Sequence, residues 1–123
     1  MSVSPAVETE QCVDRIVDFI MDKKGENIVV LDLREVTGIA DFFIIATGSS
    51  SVQVKAIADE IYEQLKKEEH IAPWHVEGYE AQKWILLDYV DIVVHIFDAV
   101  TRSYYMLEKL WEDAESRQIE TNY

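Results

Sequence analysis

The run KWILLDYVDIVVHIFD, residues 83 to 98, sets two carboxylates, Asp88 and Asp91, inside the most apolar part of the chain. Three uses would explain them: catalysis, a partner, or the turn itself. Carboxylates that share metal ions must project to one side, which on a strand requires a D-x-D spacing because successive side chains alternate faces. Asp88 and Asp91 stand three apart and straddle an expected turn, so they flank it. Asp32 and Asp41, at opposite ends of the first two expected strands, do not supply a substitute pair. Turn chemistry accounts comfortably for one of the two, since an Asp side-chain oxygen commonly stabilises a turn. It does not account for the company of Glu77, Glu80, Tyr79, Trp84 and Tyr89. Aromatic rings beside charges that can pair with Arg or Lys are what a protein interface uses as anchors.

A second candidate is TGSSSVQ, residues 47 to 53, a glycine-serine turn opening a helix. Backbone N–H groups and the helix dipole at such a place can receive an anion. The segment lacks the lysine and second glycine of a P-loop and the glycine spacing of a dinucleotide fingerprint. The same residues also fit a cap, Ser50 and Gln53 forming an S-x-x-Q box. His95, amid Val93, Val94, Ile96 and Phe97, reads as a buried, hydrogen-bonded histidine. His70 and His75 have no metal-ligand partner at suitable spacing, so neither a metal nor a cofactor is expected. Arg102 and Glu108 read as an inter-element or surface pair, and Tyr104, Tyr105 and Trp111 mostly as core.

These residues need elements to hold them. Val13, Ile16, Val17, Ile20 and Met21 recur at helical spacing between Glu8 and Lys24, with Gly25 as a stop. IVVLDL (28 to 33) and DFFIIAT (41 to 47) are strand-length apolar runs, both expected inside the sheet. A second helix follows Ser50, burying Val54, Ile57, Ala58, Ile61 and Leu65. Pro73 and Gly78 bracket a short strand around Trp74 to Glu77, placed near an edge because proline withholds a ladder donor. WILLD and DIVVHIF form a hairpin, and residues 101 to 114 predict one last helix with Tyr104, Leu107, Leu110 and Trp111 on its apolar side. Residues 115 to 123, ESRQIETNY, read as a frayed polar tail. The expectation is one mixed α/β domain over residues 1 to 114, a five-stranded mixed sheet flanked by helices.

A 123-residue chain suffices for one core. The single cysteine, Cys12, has no second thiol, which suits a reducing cytoplasm. The start, MSVSPAVETEQ, carries neither an export nor an import pattern. Twenty-four acidic against 11 basic residues give a net charge of −13. That field repels nucleic acid, whose affinity comes mainly from cations on phosphates, and attracts a basic protein over about 8 Å.

Taken in order, ADFFIIATGSSSVQVKAIADEI, VEG, WILLDYVDIVVHIF and RSYYMLEKLW resemble the ribosomal silencing factor family, also called RsfS or Iojap, across residues 28 to 111. The resemblance implies a nucleotidyltransferase-like core without catalytic carboxylates. It also implies a cytoplasmic, non-enzymatic protein that binds a basic protein of the large ribosomal subunit, the one numbered fourteen. Occupying that place would block joining of the small subunit and repress translation under nutrient limitation. Residues expected at the partner are Glu77, Gly78, Trp84, Asp88, Tyr89 and Asp91; Asp41, Gly48, Ser49, Ser50, Asp59, His95, Arg102, Tyr105, Glu108 and Trp111 look like scaffold. The family usually has glycine where this chain has Val90, giving D-Y-G-D. A β-branched residue resists positive φ, so a wider or differently built loop is expected here. Two further readings stay open: an enzyme or nucleotide-binding protein using Gly48 and Ser49, and a homodimer.

Overall fold

The computed structural model describes residues 5–123; the export reading of the first four residues lies outside it. The element order is α1 (Pro5–Asp22), β1 (Glu26–Asp32), β2 (Phe42–Gly48), α2 (Ser51–Glu69), β3 (His75–Glu77), β4 (Trp84–Asp88), β5 (Ile92–Asp98), α3 (Ala99–Tyr105), α4 (Leu107–Leu110) and β6 (Glu115–Gln118). Among the described residues the strands form one sheet in the order β3-β4-β5-β2-β1-β6. Only the β2–β5 pair in it is parallel, the chain between them crossing over through α2 and returning as the β4–β5 hairpin.

β2 and β5 lie at the middle because their sequences are apolar on both faces: every residue of β2, and Ile92 to Phe97 of β5, is buried. One face packs under α1 and α2, where Ile44, Val94 and Ile96 meet Ile16, Ile20 and the predicted α2 stripe Val54, Ile57, Ala58, Ile61 and Leu65. The other face carries Val29, Leu31, Phe43, Ile45, Val93 and Phe97 and is roofed by Leu107 and Trp111. The mixed α/β class is as the sequence predicts.

Two expectations are corrected. The sheet has six strands, the sixth being Glu115–Gln118, which pairs antiparallel with β1 from Val29↔Gln118 to Asp32↔Glu115. All four β6 side chains are exposed, so the strand is held by backbone hydrogen bonds and leaves no apolar alternation to read. Ile119 N–H continues the attachment by donating to the Ile28 carbonyl at 2.9 Å. The last helix is also two helices. Met106 takes φ 49°, ψ 51° and breaks the run, and its N–H caps α3 on the Arg102 carbonyl. The break delivers Leu107 and Trp111 to the sheet and leaves Tyr104 79% and Leu110 72% exposed, so the expected single stripe does not exist.

Candidate functional site

β4 alternates as a strand must. Ile85 and Leu87 enter the helix-covered core, whereas Trp84 and Leu86 project to the opposite face. Asp88 follows on that same side by the same alternation, roughly 13 Å along the strand from Trp84 at about 3.3 Å per residue. Register places Glu77 beside Leu86 and His75 beside Asp88, and a side-chain hydrogen bond of 2.9 Å links His75 Nε2 and Glu77 Oε1. α3 and α4 roof the sheet toward its other end, and Leu86 remains half-buried. Trp84, Leu86 and Asp88, with His75 and Glu77 on the edge strand, therefore make an open stripe of ring, alkyl and carboxylate groups.

Of the six expected residues, Glu77, Gly78, Trp84 and Asp88 come together here, and Asp91 sits exposed at the hairpin beyond Asp88. Tyr89 does not join them. It packs on the helix-side core with its hydroxyl buried and without a hydrogen-bond partner. Burial pushes that phenol well above its ordinary value, keeping it neutral. Positions 84 and 89 differ by an odd number, so alternation alone separates them; the same rule adds Leu86, which the sequence reading did not select.

The two carboxylates divide the work. Asp88 Oδ1 accepts the Val90 N–H at 2.8 Å, a turn bond, while the Asp91 side chain has no hydrogen bond or ion pair among the described residues. The Asp91 carbonyl accepts from the N–H groups of Asp41, at 2.8 Å, and Phe42, at 3.0 Å, tying the hairpin to the start of β2. Of the two expected alternatives, the loop is not wider but differently built: Val90, and not Tyr89 or Asp91, adopts positive φ, 75°, and the Tyr89 N–H closes on the Ile92 carbonyl at 2.8 Å. The Asp91 N–H also donates back to Tyr89 O at 3.0 Å, so the bonds on either side hold Val90 where glycine would rest without strain. Replacing Val90 by Gly should raise stability by about 1 kcal/mol, the relieved strain exceeding the entropy that glycine loses. Urea unfolding would register it; a loss of stability would mean that the turn is unstrained.

At the other end of the stripe, Trp84 stacks on Phe97 (centroids 4.7 Å apart) and lies 4.8 Å from the Tyr105 ring. Its indole N–H donates to His95 Nδ1 at 3.1 Å, which makes Nε2 the protonated nitrogen of the neutral imidazole. His95 is buried, as predicted, but only half satisfied, Nε2 having no partner. Desolvation pushes its pKa down to about 4 from 6.5. The unfolded chain therefore takes up this proton first as the pH falls, so the stability from His95 is whole above about pH 6.5 and is lost toward pH 4. By pH 5 the loss should be about 2 kcal/mol. Asp32 and Asp98, held low by the Arg34 side chain and the Thr101 N–H respectively, lose their contribution only below 3.8, outside that window. Urea titrations at pH 7 and pH 5 should show the difference in the wild type and not in His95→Gln; equal losses in both would remove His95 as the cause.

The glycine-serine turn proves to be a cap. Ser50 Oγ accepts the Gln53 N–H at 3.1 Å, and Gln53 Oε1 accepts from the Ser49 N–H, one residue earlier than a reciprocal box requires. The Gln53 amide donates to the carbonyls of Lys23, at 2.9 Å, and Lys24, at 3.0 Å, locking α2 to the end of α1. A Cβ on Gly48 would stand 2.8 Å from Val54 N, so this glycine serves close packing. The Ser49 and Gln53 N–H groups, two of the donors at this helix start, are thus engaged within the chain. Among the described residues, no group of three or more His, Cys, Asp or Glu is placed to hold a metal ion.

The family described as "Ribosomal silencing factor during starvation" matches residues 6–122. The chain belongs to the ribosomal silencing factor family. A ribosomal silencing factor of Halalkalibacterium halodurans is 40% identical over 114 residues, covering 93% of this chain and 97% of that one. A crystal structure of a Chromobacterium violaceum protein superposes with a TM-score of 0.80 at 35% identity, covering 84% and 85% of the two chains. A more distant mouse relative, 28% identical over 103 residues, is named for mitochondrial assembly of the large ribosomal subunit; the match covers 80% of this chain and 44% of that one. No described helix of this chain is long and apolar enough to cross a membrane.

Proposed function

We propose that this chain binds the large ribosomal subunit, docking a basic ribosomal protein, the one numbered fourteen, on the stripe formed by Trp84, Leu86 and Asp88. By occupying that surface it stands where the small subunit would join and represses translation in the cytoplasm when nutrients are short. The observation that carries this reading is the stripe itself: an aromatic and alkyl surface ending in carboxylates, on a chain of net charge −13. Glu77 beside Leu86 and the unengaged Asp91 carboxylate extend the negative rim. Gly78 keeps β3 against β4, and Tyr89 supports the hairpin from beneath. Charge steers the encounter, and the ring and alkyl groups supply contact area. The function needs no bond-making step and no cofactor. The name of the mouse relative, which joins this fold to the large subunit, supports the choice of partner.

The test is co-sedimentation with separated subunits. Glu77→Lys combined with Asp91→Lys reverses two rim charges without touching the turn bond, and Asp88→Asn removes a charge while keeping the oxygen that Val90 N–H needs. The triple variant should fold as the wild type and bind large subunits about tenfold or more weakly. Wild-type affinity should also fall with added salt. Undiminished binding by the folded variant, or preference of the wild type for small subunits, would sink the assignment. Calorimetry with ATP and magnesium tests the competing use of Gly48 and Ser49: saturable heat lost on mutating Ser49 would favour a nucleotide-binding protein.

A further inference from the structure

We infer that His95 is a positioning residue for partner docking, its Nδ1 holding the Trp84 indole N–H and so fixing the ring at one end of the docking stripe. The inference rests on the reading of Trp84 as part of that stripe. It begins from an oddity of β5: among six consecutive buried positions, Ile92 to Phe97, one is an imidazole. An apolar side chain would fill the place without stranding a polar atom, yet His95 leaves Nε2 buried and unpartnered. What it gains is a single hydrogen bond, to Trp84 at 3.1 Å.

The imidazole is suited to hold another group because it is held itself. It lies 4.6 Å from the Phe43 ring and is paired across the strand with Leu86, on the most buried part of the sheet. Trp84, by contrast, is half-buried on the penultimate strand, and beyond it the column of rings runs out through Tyr105 to an exposed Tyr104. Stacking on Phe97 restricts the tilt of the indole but not which edge faces inward. The bond to Nδ1 selects the edge, and a preset ring costs less to dock than one that must be ordered on contact.

Two variants separate this role from packing. His95→Gln keeps an acceptor; His95→Phe keeps the volume of a ring and removes the acceptor. The first readout is solvent exchange of the Trp84 indole N–H by NMR, its signal identified by loss in Trp84→Phe. Exchange should be slow in the wild type and in His95→Gln, and at least about tenfold faster in His95→Phe. The second readout is affinity for large subunits: about tenfold weaker for folded His95→Phe, and within about threefold of wild type for His95→Gln. Wild-type affinity in folded His95→Phe, or an indole exchange rate indifferent to the acceptor, would overturn the role. Should His95→Phe not fold, loss of slow exchange or of binding in folded His95→Gln would overturn it equally. Trp84→Ala distinguishes the two readings: if it binds as the wild type, the docking stripe is wrong and this role falls with it; if it loses binding while His95→Phe does not, only His95 is misassigned.

Discussion

Gly78→Ala should cost about 4 kcal/mol, the largest single effect expected outside the core, and lower the melting temperature by on the order of 10–15 °C. Two causes act together. Gly78 has φ 77°, and a Cβ built on it would lie 1.9 Å from the Trp84 carbonyl oxygen. No rotamer change relieves a clash between backbone atoms, so β3 must lift from β4. The loss would spread into the candidate site, because this close approach is what sets Glu77 beside Leu86. Gly38 provides the control: a Cβ there meets nothing within 4 Å, and Gly38→Ala should change stability by less than about 0.5 kcal/mol. Chemical denaturation of both variants decides the matter, and a cost below about 1 kcal/mol for Gly78→Ala would mean that the strands do not approach so closely.

Arg102→Met should cost about 3 kcal/mol. The guanidinium, its side chain only 13% exposed, joins three parts of the chain at once. Nε donates to Glu108 Oε1 at 2.6 Å, and one terminal nitrogen donates to the Asn27 carbonyl at 2.6 Å and to Thr47 Oγ1 at 2.8 Å. Methionine fills the volume and supplies no donor, leaving Glu108 without its cation and the buried Thr47 hydroxyl without this partner. Glu108 retains access to water, which keeps the cost below that of a fully buried pair. Removing both partners should cost less than the sum of the single changes by at least about 1 kcal/mol, so a strictly additive double-mutant cycle would show that the pair is not coupled. The sequence reading of Arg102 and Glu108 as an inter-element pair is what the geometry shows, and it matters because the pair pins α3 and α4 after the break at Met106.

The candidate site was legible in outline. The aromatic and acidic composition of residues 77 to 91 pointed to the region where the proposed stripe lies, and the turn expected between Asp88 and Asp91 is present, Asp88 Oδ1 accepting the Val90 N–H. Tyr89, expected at the partner, lies on the face opposite Trp84 and Leu86, as the period of two would place it. The shape of the Val90 turn was not legible, because residue type gave the cost of positive φ but not the bonds from Asp88, Ile92 and β2 that outweigh it.

What the sequence determined by itself was whatever depends on near neighbours. The α2 stripe, the Ser50 cap, the doubly apolar β2 and β5 and the turn between two apolar strands all follow from periodicity and from bonds reaching a few residues. Only the tertiary structure decided the rest. β6 is a strand because β1 offers it an edge, and backbone pairing leaves no mark on side-chain types. The break at Met106 places Leu107 and Trp111 against the sheet, a long-range contact that helical spacing does not encode. Trp84 is fixed by a histidine 11 positions away, a contact that exists only once two strands have paired.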